Sequence, residues 1–104
     1  MSIVSVKLDE NIASLLIEVD VDFDQFDDFG ESLAQLLDCR VVEKQWGADR
    51  HQWRLMFEGT GLSLDYEFYG GICWIKADTP DDFEVVSYLA GLLRNSLLKK
   101  QLDA

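Results

Sequence analysis

Proline occurs once in the 104 residues, histidine once and cysteine twice, and Lys plus Arg number 9 against 20 for Asp plus Glu. Each scarcity removes a class of protein. One proline and no low-complexity run, beside 48% hydrophobic residues, leave enough apolar side chain to offset the entropy of ordering the chain, so intrinsic disorder is not expected. Cys39 and Cys73 lie far apart without CxxC spacing, which argues against a disulfide framework and suits reduced, partly buried thiols in a cytoplasmic protein. No segment approaches the roughly 18 apolar residues of a membrane span, and the opening Met1-Ser2-Ile3-Val4-Ser5-Val6-Lys7 lacks the basic start and apolar stretch of a signal peptide. At a net charge of -11 the chain approaches a phosphate backbone against its own field, so nucleic acid is disfavoured as a partner and a basic protein is favoured.

The length predicts one domain, residues 1–104, with a folded surface near ~6,000 Å² and about two thirds of the unfolded chain's surface buried. Ile3 to Leu8 and Ala13 to Val21 read as strands separated by the polar Asp9-Glu10-Asn11 turn. In the second, Leu15, Ile17, Val19 and Val21 face inward and Glu18, Asp20 and Asp22 outward. From Phe23 the period lengthens to three and four. Phe23, Phe26, Phe29 or Gly30, Leu33, Leu36 and Leu37 then make one stripe of a helix over about Asp24 to Asp38.

Four strands follow, at Arg40–Trp46, His51–Glu58, Leu62–Tyr69 and Ile72–Ala77, joined by short glycine-bearing turns as in an antiparallel meander. Trp53, Leu55 and Phe57 share an inner face, as do Leu62, Leu64, Tyr66 and Phe68, while Arg54, Glu58, Asp65 and Glu67 face water. A last helix opens with Thr79 as cap, Pro80 at its first position and Asp81, Asp82 and Glu84 against the positive end of its dipole. Phe83, Val86, Leu89, Ala90, Leu93 and Leu97 are its buried stripe, and Arg94, Lys99 and Lys100 stand near its C-terminal end. The expected order is ββαββββα, an α+β domain with a mostly antiparallel sheet of about six strands and two helices.

Asp20, Asp22, Asp24, Asp28 and Glu31 match positions 1, 3, 5, 9 and 12 of a Ca²⁺-binding loop. Gln25, however, stands at the sixth position, where the sharp turn needs Gly, and a strand precedes the cluster in place of a helix. We therefore assign no metal. With one histidine, His51, the chain has no His-His pair, and Cys39, Cys73 and His51 lack zinc-ligand spacing. The acidic background offers little to stabilise a thiolate, so no catalytic residue is assigned, and the absence of GxSxG, GxGxxG, GxxxxGK[ST] and HExxH leaves no cofactor expected. An enzyme or small-ligand binder with a site between sheet and helices, near Cys73, His51 and Trp53, is the alternative reading.

Trp46, Trp53, Trp74, Tyr66, Phe68 and Tyr69 crowd the meander. Asp65 and Glu67 on the neighbouring strand deny such rings the positive groove of a single-strand nucleic-acid platform, so most are expected in the core and any left at a sheet edge would form a protein-docking surface. The sharper feature is electrostatic. Glu18, Asp20, Asp22, Asp24, Asp27, Asp28 and Glu31 follow one another without an intervening base, a stretch suited to steering a basic protein or to plain solubility.

The strand-rich plan, the single Pro80 opening the final amphipathic helix and the short acidic chain resemble one of the small bacterial families of about a hundred residues known only as domains of unknown function. That resemblance covers most of the chain and implies a cytoplasmic protein without an assigned activity. The composition is also similar to that of the acidic chaperones of type III secretion, small α+β dimers that hold an effector segment, although those open with a helix and Ile3 to Val21 reads as a strand pair. The expectation is a non-enzymatic protein acting by protein–protein interaction, through the acidic stretch or an exposed aromatic edge, with a secretion-chaperone-like adaptor as a further alternative. A homodimer paired through an exposed strand such as Ile3 to Leu8 is compatible with the pattern.

Overall fold

A computed structural model describes the backbone of residues 3–102 and the side chains of residues 3–99, which leaves Met1, Ser2 and the Lys100 side chain outside the described residues. The elements are β1 (Ile3–Asp9), β2 (Ser14–Val19), α1 (Phe26–Leu36), β3 (Arg40–Trp46), β4 (Arg50–Phe57), β5 (Thr60–Glu67), β6 (Ile72–Ala77) and α2 (Phe83–Leu102). A 3₁₀ turn leads into each helix, at Phe23–Gln25 and at Pro80–Asp82. The order is ββαββββα. All six strands form one sheet, ordered β1-β2-β6-β5-β4-β3, and every neighbouring pair is antiparallel.

Strands β3 to β6 are the expected meander, and the β1–β2 hairpin joins it by pairing β2 with β6. β2 and β3 run in the same direction at separate places in the sheet, so their connection has to cross a face, and α1 is that crossing. α2 returns over the other half of the same face, against β1, β2 and β6. The core lies between: Leu15 and Ile17 of β2, Leu62 and Leu64 of β5, Ile75 of β6, Trp53 of β4, Phe26 and Leu33 of α1, and Val86, Leu89 and Leu93 of α2 are all 0% exposed. The folded surface is 6360 Å², close to the scaling expectation for this length.

Helix α1 ends on a left-handed residue. Asp38 has φ 56°, Cys39 N–H donates to the Ala34 carbonyl at 2.8 Å and Asp38 N–H to that of Gln35 at 3.2 Å, the reciprocal bonding of a Schellman cap with aspartate in place of the usual glycine.

Several expectations need correction. The long period begins as a 3₁₀ turn, with α1 proper starting at Phe26 and ending at Leu36. Leu36 is 36% exposed, because the apolar stripe of α1 is centred on Phe26, Phe29, Gly30, Leu33 and Leu37 and the helix turns Leu36 past its edge. Thr79 precedes the 3₁₀ turn, but its hydroxyl donates to the Asp82 carboxylate and caps no backbone N–H. β2 stops at Val19 and β5 at Glu67, which puts Phe68 beyond the strand and 40% exposed. The rings are not mostly core: Trp53 and Tyr66 are buried, Trp74 is half-buried on the opposite face, and Trp46 and Tyr69 are 70% and 80% exposed. Alternation explains Trp74, since Cys73 and Ile75 on either side take the inner positions.

That opposite face carries no helix among the described residues. Its bases are Lys7, Arg40, Arg50, Arg54 and Lys76, and its acids are Asp9, Glu18, Glu43, Asp65, Glu67 and, just past β6 beside Gly61, Asp78. Arg54 reaches Asp78 in an ion pair, which raises the guanidinium's pKa and lowers that of the carboxyl. Asp65 is held above the ordinary carboxylate range by partial burial, against the pull of Ser63 and Gln52 hydrogen bonds and the nearby Arg50 and Arg54 charges.

Candidate functional site

The inner positions of β4 and β5 place His51, Trp53 and Tyr66 under the first turns of α1. Their rings stack with those that the α1 stripe supplies. His51 lies between Phe23 at 4.3 Å and Phe26 at 4.8 Å, and Phe26 stacks on Tyr66 at 4.5 Å and meets Trp53 edge-on at 5.3 Å. Such offset and edge contacts are worth about 0.5–1.5 kcal/mol each beyond area burial. The polar atoms are tied to backbone: Tyr66 O–H donates to the Val21 carbonyl at 2.8 Å, and His51 Nε2 lies 3.2 Å from the Phe23 carbonyl. A carbonyl only accepts, so Nε2 carries the proton in that contact. Burial also pushes the Tyr66 phenol above its ordinary pKa, with the Asp22 charge adding to it.

A cleft of about 220 Å³ opens beside this stack, between the start of α1 and strands β3 and β4. Phe23, His51 and Trp53 line it with Asp24, Asp27, Lys44 and Trp46. Cross-strand pairing explains β3's contribution: Lys44 is opposite Trp53 and Trp46 opposite His51, so both point to the helix side of the sheet. Lys44 Nζ sits 4.4 Å from the centroid of the Trp53 ring and bridges to Asp27 at 2.8 Å and Glu31 at 2.6 Å, bonds that raise its pKa. Trp53 Nε1 is the one buried side-chain donor without an acceptor among the described residues.

The acidic stretch is divided by the fold. Glu18 points to the open face, where Ser5 donates to it at 3.2 Å. Asp20 and Asp22 lie between β2 and the 3₁₀ turn, Asp24 is in that turn, and Asp27, Asp28 and Glu31 are on α1. Asp22 N–H donates to Gln25 Oε1 at 3.1 Å, so the residue at the sixth position of the calcium-like pattern serves to close the turn. Among the described residues, no three of His, Cys, Asp and Glu are placed to hold a metal ion, so Asp20, Asp22, Asp24, Asp28 and Glu31 are not brought together as ligands.

Cys73, Tyr66 and His51 form one cross-strand row over β6, β5 and β4, so the Tyr66 strand separates the thiol from the imidazole. Cys73 is fully buried and its thiol is pushed up to about 12 by desolvation. Cys39 lies away from both, beside a second cleft of about 430 Å³ between α1 and β3. Its burial and the Asp38 charge push its thiol up to about 11, so neither cysteine is an activated nucleophile. Of the three residues that the sequence suggested for a site between sheet and helices, His51 and Trp53 line this cleft and Cys73 does not, and the contributions of Lys44 and Trp46 were missed. Trp53 and the Phe23 to Leu37 stripe were both legible, but Lys44 and Trp46 gave no inward signal in a strand whose alternation is broken by a bulge between Val41 and Glu43.

Residues 3–94 match the model of a family described as a protein of unknown function, DUF3630. No curated protein and no solved structure matches the chain.

Proposed function

We propose that this chain, which belongs to the DUF3630 family, acts by binding another protein, and that it takes a basic segment at the cleft between the start of α1 and strand β3. One observation carries the reading: Trp46, 70% exposed, lines the same cleft as Asp24 and Asp27. A large apolar ring left in water beside carboxylates offers an Arg or Lys side chain both a π-face and a counter-charge. Exposed tryptophan is also the residue type most often found to anchor protein interfaces. Lys44 is an internal precedent, since its ammonium lies over the Trp53 ring while it pairs with Asp27 and Glu31. Asp20 and Asp22 extend the same negative field and favour approach of a cation.

The test is capture of partners from the native cell at low salt and at about 0.5 M salt, where exposed charge attraction is screened, followed by titration of the purified partner. The expected result is a basic partner lost at high salt, whose affinity for the purified chain falls at least tenfold with Trp46→Ala and again with Asp24→Asn. Undiminished affinity in the double variant would remove the cleft from the interface. A second reading, a small ligand in the same cleft, draws on the Trp53 Nε1–H that lacks an acceptor. It predicts a rise in melting temperature with a bound ligand, about 2.7 kcal/mol of added stability at 100 times its Kd.

A further inference from the structure

The open face of the sheet is electrically unlike the rest of the molecule. Among the described residues it carries five bases against six acids, the sixth being Asp78 paired with Arg54, so it lies within one charge of neutral while most of the chain's net charge of -11 lies elsewhere. Two copies of a chain with this net charge repel over most of their remaining surface. Near the middle of this face stands Trp74, half-buried, beside Leu16 on β2 and Ile72 on its own strand. We infer that this face docks a second copy of the chain, related by a two-fold axis lying along the strands between β6 and β5.

The register makes the inference specific. Glu18, Ile72, Glu67 and Arg50 occupy one level across β2, β6, β5 and β4. Rotation about that axis keeps the level and sets Glu18 of one copy over Arg50 of the other, twice over, because a two-fold interface repeats each contact. On the next level, Leu16, Trp74, Asp65 and Gln52, the two Trp74 side chains point toward each other from facing sheets, offset sideways across the axis by about one strand spacing, ~4.8 Å. Asp9 and Glu43 would meet as like charges, but they lie on the edge strands, where two right-twisted sheets packed face to face diverge at their corners. Six strands of this length make a corrugated platform of roughly 500 Å² in plan, toward the small end for stable interfaces, so a dissociation constant on the order of micromolar is expected. Both α1 clefts would face outward, which makes the dimer bivalent for any partner bound there.

The test is sedimentation of the full chain from about 1 to about 200 µM at ~0.15 M salt. The mass should move from 11.9 kDa toward twice that value. Glu18→Arg and Arg50→Glu should each raise the dissociation constant about tenfold or more, and the double swap should restore it to within about threefold. Trp74→Ala should abolish the dimer, while Trp46→Ala should leave it intact, which separates this proposal from the cleft reading. A monomer at every concentration, a dimer insensitive to both swaps, or a double swap no better than the singles would each overturn it. The surface charge swaps keep the test decisive even if Trp74→Ala does not fold.

Discussion

Gly30→Ala probes the packing that builds the cleft, because helix propensity and tertiary packing predict opposite signs. In an isolated helix the change gains about 1 kcal/mol. Here a Cβ at position 30 would sit 2.6 Å from both Cη2 and Cζ3 of Trp53 and 3.3 Å from Phe26 Cε2. Carbon atoms in contact prefer about 3.5–4.0 Å, so helix or indole must retreat by about 1 Å. The indole is hemmed in on the helix side: it is 0% exposed, with Phe26 against it at 5.3 Å and Lys44 over it at 4.4 Å. Overpacking of this kind costs about 1–3 kcal/mol, and a contact this short against a buried ring belongs at the upper end, leaving a net loss of up to about 2 kcal/mol and a melting temperature lower by up to roughly 15 °C for a domain of this size. The control is Gly91→Ala on α2, where a Cβ meets nothing within 4 Å and the propensity gain should raise the melting temperature. Both would be followed by circular dichroism and by calorimetry. If Gly30→Ala melts at or above the wild type, as Gly91→Ala should, α1 does not rest on Trp53 and the cleft as described does not exist.

Four other outcomes follow from the fold. Leu33→Ala and Leu93→Ala should each destabilise by about 2–5 kcal/mol in urea unfolding, because both side chains are 0% exposed, whereas Leu36→Ala, at 36% exposure, should cost well under half as much. Asp38→Gly should stabilise by about 0.5–1 kcal/mol, since glycine accepts φ 56° without strain and a negative charge leaves the C-terminal end of α1; destabilisation would refute the cap. Asp65→Asn should stabilise at pH 7, and the gain should vanish below about pH 4. The sign follows from burial: the folded carboxyl holds its proton more tightly than the unfolded one, so stability falls as pH rises through that window and the deficit persists above it. With thiols pushed up to about 11 and about 12, Cys39 and Cys73 should alkylate slowly in the folded protein at pH 8 and at ordinary rates in denaturant; rapid native modification of Cys73 would contradict its burial.

Local chemistry was legible wherever alternation or helical spacing runs unbroken. Leu15, Ile17 and Val19, then Trp53, Leu55 and Phe57, then Leu62, Leu64 and Tyr66 all face the core as their spacing requires, and Pro80 opens the 3₁₀ turn that leads into α2. Phe68 departed because its strand ends one residue before it, and Leu36 because a stripe assembled from spacings of three and four drifts around the helix. Trp46 reads in sequence as one more ring of the meander. Whether a ring on an inner face is buried depends on which element lies above it, and α1 covers Trp53 and Tyr66 but leaves Trp46 at the edge strand.

The order of elements, the antiparallel meander and the excess of negative charge are properties of neighbouring residues and of totals, and a chain carries those whatever its fold. The pairing of β2 with β6 brings residues more than fifty positions apart together, and nothing in their local pattern encodes that choice. From that pairing follow the near-neutral open face and the separation of Glu18 from the rest of the acidic stretch. The crossing of α1 to the far edge does the rest, setting Asp24 and Asp27 beside Trp46 and Lys44, a proximity that only the assembled sheet and helix decide.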